Sequence, residues 1–157
     1  MIAQSQQQSK ELWSLRETIP LANKAIGAIC SSDISLPLSQ VPDFIDMVAP
    51  RIAKFGTLRT NCFGHLGDGN LHYNIFPPVG VAASRYQKVR DELQYEVHHL
   101  THELGGSVSA EHGVGRLKVD DIATFSDPVK LHLMRLIKDT LDPLGILNPG
   151  AVLPQKP

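Results

Sequence analysis

Leu12, Leu15, Ile19, Ala22, Ile26 and Ile29 follow one another at alternating steps of three and four, the spacing of one helix face. Pro20 falls inside that run and lacks a backbone donor, so a kink or restart is expected there. Residues 31–36 read as a short strand closed by Pro37. Ser39 is placed to cap a second helix, with Pro42 in its first turn. Val41, Phe44, Ile45, Val48 and Ile52 would form its apolar face, with a break at Pro50.

Between Arg59 and Pro77 the period drops to two. Residues 61–66 and 71–76 each alternate around Gly67-Asp68-Gly69-Asn70, which predicts a β-hairpin ended by Pro77-Pro78. A helical stripe then returns at Tyr86, Val89, Leu93, Val97, Leu100 and Leu104, stopped by Gly105-Gly106. A glycine-containing loop spans Ser109 to Arg116. The last helix begins at Asp127-Pro128, a cap followed by a favoured first residue, and Leu131, Met134, Ile137 and Leu141 are its expected buried face. Turn formers from Asp142 to Gly150 end the unit. There is no internal repeat. Strands among helices predict an α+β fold: an antiparallel sheet with helices packed on one face, in ferredoxin-like layers, as one domain over residues 1–157.

The hairpin concentrates chemistry. With residues 67–70 as its loop, His65 faces His72 across the ladder, where opposed Cβ atoms lie roughly 4.5–5.5 Å apart. One face then carries Cys62, Gly64, Leu66, Leu71, Tyr73 and Ile75, and the other carries Phe63, His65, His72 and Asn74. Slipping the register by one residue would mix the two sets, which burial disfavours. Two imidazoles on a polar face can share a metal ion. Glu111-His112, in a loop able to fold back onto the sheet, supplies a third donor. Adjacent side chains rarely point the same way, so Glu111 is the expected ligand and His112 stays free for proton transfer. A His/His/Glu set leaves one position open, as in catalytic zinc sites.

Composition removes other classes. The 157 residues suit one domain, and 42% apolar with 20% charged residues is ordinary for a globular protein. A net charge of −1 offers no footprint for nucleic acid or an anionic membrane. Cys30 and Cys62 are too few for a disulfide framework and read as buried thiols. No apolar run approaches the roughly 20 residues of a membrane span. The glutamine-rich start is not a secretory signal, so a cytoplasmic location is expected. Homo-oligomer formation stays open. His98 and His102 lie among Arg90, Asp91, Glu92, Glu96 and Glu103 and read as a solvated helix face. Neither Gly67-Asp68-Gly69 nor Gly113-Val114-Gly115-Arg116 completes a phosphate-binding motif.

Three segments occur in order: Phe63-Gly64-His65-Leu66-Gly67-Asp68-Gly69-Asn70-Leu71-His72, Ser109-Ala110-Glu111-His112-Gly113-Val114-Gly115, and Asp142-Pro143-Leu144-Gly145-Ile146-Leu147-Asn148-Pro149-Gly150. Together they resemble the C-terminal domain of FAD-linked oxidases of the vanillyl-alcohol-oxidase type. The nearest members are D-lactate dehydrogenase, the glycolate oxidase flavin subunit and D-2-hydroxyglutarate dehydrogenase. The resemblance runs over residues 12–153. It implies a domain that caps the substrate pocket while a separate N-terminal domain, absent from this chain, holds FAD. It implies that His65, His72 and Glu111 bind a divalent metal, usually zinc, and that His112 is the general base. It further implies that Asn74 lines the pocket, that Arg16 pairs with the substrate carboxylate, and that Asn148 lies near the flavin ring. The expected substrate is a small 2-hydroxy acid, and the chain alone is expected to be inactive.

Two positions depart from the family. Ser31 stands where members often have lysine, and Pro20 where some have a substrate-contacting threonine, which argues against hydroxyglutarate. The alternatives are a metal-dependent hydrolase, with Asp68 as the carboxylate base, and a non-catalytic domain that captures hydroxy acids.

Overall fold

The computed structural model describes residues 2–154; Met1 and residues 155–157, the outer ends of the expected domain, lie outside it. Helix α1 (Gln6–Ile26) begins where the Ser5 side chain accepts the Gln8 N–H at 3.2 Å and ends at Gly27, whose φ is 80°. It runs through Pro20 without a restart. The carbonyl that proline leaves unpaired belongs to the turn of Arg16, on a helix with no fully buried residue, so water can serve it.

Strand β1 (Cys30–Ser35) follows, then a single 3-10 turn (Leu38–Gln40) and helix α2 (Val41–Ala53). The expected Ser39 cap is not formed. Ser39 lies inside the 3-10 turn, and the residue at the cap position, Gln40, makes no side-chain capping bond. Nor does Pro50 break α2, since Pro50 and Asp46 are both on the exposed side. Val41, Phe44, Val48 and Ile52 are buried as expected, whereas Ile45 is exposed.

Strands β2 (Arg59–His65) and β3 (Asn70–Phe76) form the hairpin, and the sheet order is β1-β3-β2 with both pairings antiparallel. The turn is a 3-10 turn at Leu66–Asp68 closed by Gly69 in the left-handed region, φ 64°. A Cβ on Gly69 would also lie 2.0 Å from the Leu36 carbonyl oxygen, so only glycine fits there. β3 therefore starts at Asn70, one residue earlier than expected. The pairs are His65 with Asn70 and Phe63 with His72. This corrects the predicted pairing of His65 with His72 by two residues. A shift of two preserves the face, so the division into apolar and polar sides survives.

On the apolar side Ile34, Leu71, Tyr73 and Ile75 meet Phe44 and Val48 of α2 and Leu93, Val97 and Leu100 of helix α3 (Arg90–Glu103). Phe44 meets the Tyr73 ring edge-on, with centroids 5.7 Å apart. α3 is preceded by 3-10 turns at Ala83–Val89 and ends at Leu104, just before Gly105 with φ 72°. The solvated reading of His98 is overturned: its ring is fully buried and its Nδ1 lies 2.9 Å from Asp121 Oδ1. Asp121 belongs to helix α4 (Val119–Phe125), whose seven residues carry no long apolar period. His102 packs against Phe125 of that helix, centroids 5.7 Å apart. Cys30 is buried and Cys62 half-buried, and burial pushes the Cys30 thiol up to about 11.

Helix α5 (Pro128–Leu141) starts as read, with the Asp127 carboxylate accepting the N–H groups of Val129 and Lys130. Its expected buried face is not buried. Ile137 is 60% and Leu141 74% exposed, because none of the described elements packs against this stripe closely enough to cover it. α1 likewise has no buried residue, and Leu15 and Leu21 are exposed. Among the described residues no helix is long and apolar enough to cross a membrane.

Candidate metal and substrate site

α1 crosses the polar side of the sheet on polar contacts. Asn23 Nδ2 donates to Asn61 Oδ1 at 3.1 Å, and Arg16 Nη2 lies 3.5 Å from both the Gly64 carbonyl oxygen and His65 Nε2. The Arg16 guanidinium also sits over the Phe63 ring, 4.9 Å from its centroid. Between helix and sheet opens a cavity of about 670 Å³, lined among others by Arg16, Lys24, Phe63, His72, Asn74 and His112.

At one end of this cavity the predicted ligands converge. His65 and His72 are diagonal neighbours, with ring centroids 6.1 Å apart and planes nearly perpendicular. The loop after α3 brings Glu111 between them, Oε1 being 2.9 Å from His72 Nε2 and Oε2 4.0 Å from His65 Nε2. The three donor atoms all lie within 4.8 Å of one another. A tetrahedral zinc site with bonds near 2.0 Å has donors about 3.3 Å apart, so small side-chain rotations would close the set. Burial lowers the pKa of His72 against the opposing pull of the Glu111 and Asp33 carboxylates. A neutral imidazole is the form a metal requires. The residues present fit a divalent cation.

His112 stands beside the set, its ring stacked on His72 at 5.8 Å, and its side chain is 68% exposed against 16% for His72. It is the most exposed of the three histidines that line the cavity. Asn74 faces the cavity, with Nδ2 donating to the His72 carbonyl at 3.2 Å. Pro20 and Ser31 both line it as well. Asn148 does not join this group. It sits in the tail at φ 45°, beside a separate surface depression lined by Arg135, Lys138 and Asp142. Asp68, the carboxylate base of the hydrolase reading, is not among the residues lining the cavity.

One residue was missed. Asp33, in the middle of β1, is 6% exposed and directly paired with His72. Burial opposes its ionisation, but the N–H groups of His112, Asn70 and Glu111 outweigh that and hold its carboxyl below the usual range. An aspartate inside a strand was the available signal, since strands are depleted in it.

Residues 1–152 match the family of FAD linked oxidases, C-terminal domain. The chain belongs to this family. Similar proteins include a probable mitochondrial D-2-hydroxyglutarate dehydrogenase of Oryza sativa subsp. indica, 37% identical over 99% of this chain. The mitochondrial D-2-hydroxyglutarate dehydrogenase of Arabidopsis thaliana is 38% identical over 98% of it. An uncharacterised FAD-linked oxidoreductase of Mycobacterium tuberculosis is 38% identical over 92%. This FAD-linked oxidase domain spans only 26%, 26% and 30% of the lengths of those three proteins. Within the domain, the glycines at 67 and 69 serve a hairpin turn and those at 113 and 115 an irregular loop. Neither pair makes a dinucleotide cradle at a strand-to-helix junction.

Proposed function

We propose that the protein is the substrate- and metal-binding part of an FAD-dependent dehydrogenase that oxidises a small 2-hydroxy acid, of the D-lactate or glycolate kind, to the 2-oxo acid. The observation that supports it most is the meeting of His65, His72, Glu111, Arg16, Asn74 and His112 around one cavity. His65, His72 and Glu111 would hold a divalent cation, zinc by the nature of the donors. When bound, the cation draws charge from the substrate hydroxyl oxygen, and the flavin of a partner domain accepts the hydride.

The chain's own residues do the rest. Arg16 offers a planar guanidinium, already held over Phe63, to the substrate carboxylate. Asn74 offers an amide from the cavity wall. His112 takes the hydroxyl proton on a ring nitrogen as the carbon gives up its hydrogen with the electron pair, and it must be neutral to do so. Asn148 is assigned to the flavin side of the assembled protein. The exposed stripes of α1 and α5 are the surface on which that flavin domain docks. With Pro20 and Ser31 inside the cavity, a small acid is favoured over the hydroxyglutarate named for the relatives.

The test uses the protein joined to its flavin-binding domain, with flavin bleaching followed on D-lactate, glycolate and D-2-hydroxyglutarate. His65→Ala and His72→Ala should each lose zinc and turnover. His112→Ala should keep zinc while turnover falls by ~10²–10⁴. Unchanged zinc content in both of the first two variants, or a flavin that no 2-hydroxy acid reduces, overturns the reading.

A further inference from the structure

The loop that delivers Glu111 and His112 has no regular structure, yet the site needs both side chains in place. Its stem is stitched to β1 by the backbone. Ser35 and Ser107 exchange N–H bonds of 2.9 and 2.8 Å, and the Ala110 N–H reaches the Asp33 carbonyl at 3.3 Å. These bonds would survive any side chain at position 33. Beyond Ala110 the attachment changes character. The next two N–H groups, of Glu111 and His112, both donate to Asp33 Oδ2, at 3.1 and 3.0 Å. The other oxygen, Oδ1, accepts Asn70 Nδ2 at 2.8 Å and stands 3.6 Å from Nδ1 of His72, the ring nitrogen turned away from Glu111. Asp33 Oδ2 is also 3.6 Å from His112 Nδ1.

We propose that Asp33 is the positioning residue of the site: one buried carboxylate pins the two residues that carry the third ligand and the proton acceptor, and faces the imidazole of the central ligand. The proposal rests on the metal-site reading above. Asp33 lies in the cavity wall, 6% exposed, and is not one of the three converging donors, so its part is to hold the groups that are. Its two oxygens offer enough lone pairs for the three hydrogen bonds they accept. Oδ1 faces His72 Nδ1 at 3.6 Å, beyond hydrogen-bond distance, while Nε2 is the ring nitrogen turned towards Glu111. His65, in contrast, stands on β2 with its Nε2 4.0 Å from Glu111 Oε2, so loss of that ligand should leave the loop where it is.

The experiment compares wild type with Asp33→Ala, Asp33→Asn and His65→Ala. Amide hydrogen exchange is read residue by residue without metal, and ZnCl₂ is titrated calorimetrically. In the wild type the Glu111 and His112 amides should be protected. Asp33→Ala should release those two while core amides such as Leu100 stay protected, and zinc affinity should fall ~10–100-fold. Asp33→Asn keeps an oxygen for the two N–H groups and should restore most of their protection. His65→Ala should lose zinc and keep the protection. Freely exchanging Glu111 and His112 amides in the wild type, or zinc affinity in Asp33→Ala equal to wild type, overturns the proposal. If the wild type takes up no zinc, the metal reading fails instead, and the exchange pattern still decides whether Asp33 holds the loop. Should Asp33→Ala not fold, wild type and Asp33→Asn suffice, and release of the two amides in Asp33→Asn would count against the anchor.

Discussion

An alanine at position 64 would place its Cβ 2.0 Å from the Asn70 carbonyl oxygen, 2.8 Å from the Asn70 carbonyl carbon and 3.0 Å from Leu71 Cα. All three are main-chain atoms of β3, so no side chain can step aside. Relieving the closest contact to about 3.4 Å needs roughly 1.4 Å of separation, against strands normally 4.7–4.9 Å apart. Overpacking of this kind costs about 1–3 kcal/mol. The stiffer alanine chain returns about 0.5–1 kcal/mol. A net loss of ~0–2.5 kcal/mol is expected for Gly64→Ala, read as a lower urea midpoint at unchanged slope in the presence of chelator. The site should suffer more. His65 is the next residue, and metal ligands tolerate displacements of only about 0.2 Å, so zinc affinity should fall at least ~10-fold. A Gly64→Ala protein as stable as wild type, with undiminished zinc affinity, would refute the register that pairs Gly64 with Leu71.

Phe44→Ala should cost about 3–5 kcal/mol in denaturant unfolding, since Phe44 is fully buried against Tyr73; a cost below 1 kcal/mol would contradict that core. The Asp33 carboxyl is held below its ordinary range, so its stabilisation is complete above the unfolded aspartate value and is lost as pH falls through the folded one. Carboxyl chemical shifts of Asp33 should therefore titrate below ~3.9, and a midpoint above that value would contradict the hydrogen bonding described. Ile137→Glu and Leu141→Glu, on the exposed stripe of α5, should change the stability of this chain by no more than ~0.5 kcal/mol. The same changes should weaken its co-purification with the flavin-binding domain, and undiminished co-purification would count against the docking surface.

Period-two alternation carried the hairpin and put His65 and His72 on one face, and that inference was immune to the two-residue error in register. The register itself was not readable locally. It depends on Asn70 entering β3, where its side chain bonds to Asp33 and to the Ile34 carbonyl of a strand far away in sequence. His98 was misread because its charged sequence neighbours outweighed its place one turn from Thr101 on the buried side of α3. The stripes on α1 and α5 are exposed among the described residues, and amphipathicity marks a face able to pack without saying what covers it. Asp33 escaped notice because a strand residue reveals its partners only after a loop some 78 positions later has folded onto it.

The cavity's two walls are attached very differently. One is the middle of a sheet bonded on both edges of β3 and backed by a packed core. The other is a single helix resting on a few polar touches, with Arg16, Pro20, Asn23 and Lys24 turned inward. On the proposed reading, sequence drift along that helix would change which acid is accepted while the sheet that carries His65 and His72 keeps its shape. Specificity would thereby be free to diversify within a lineage at little risk to folding.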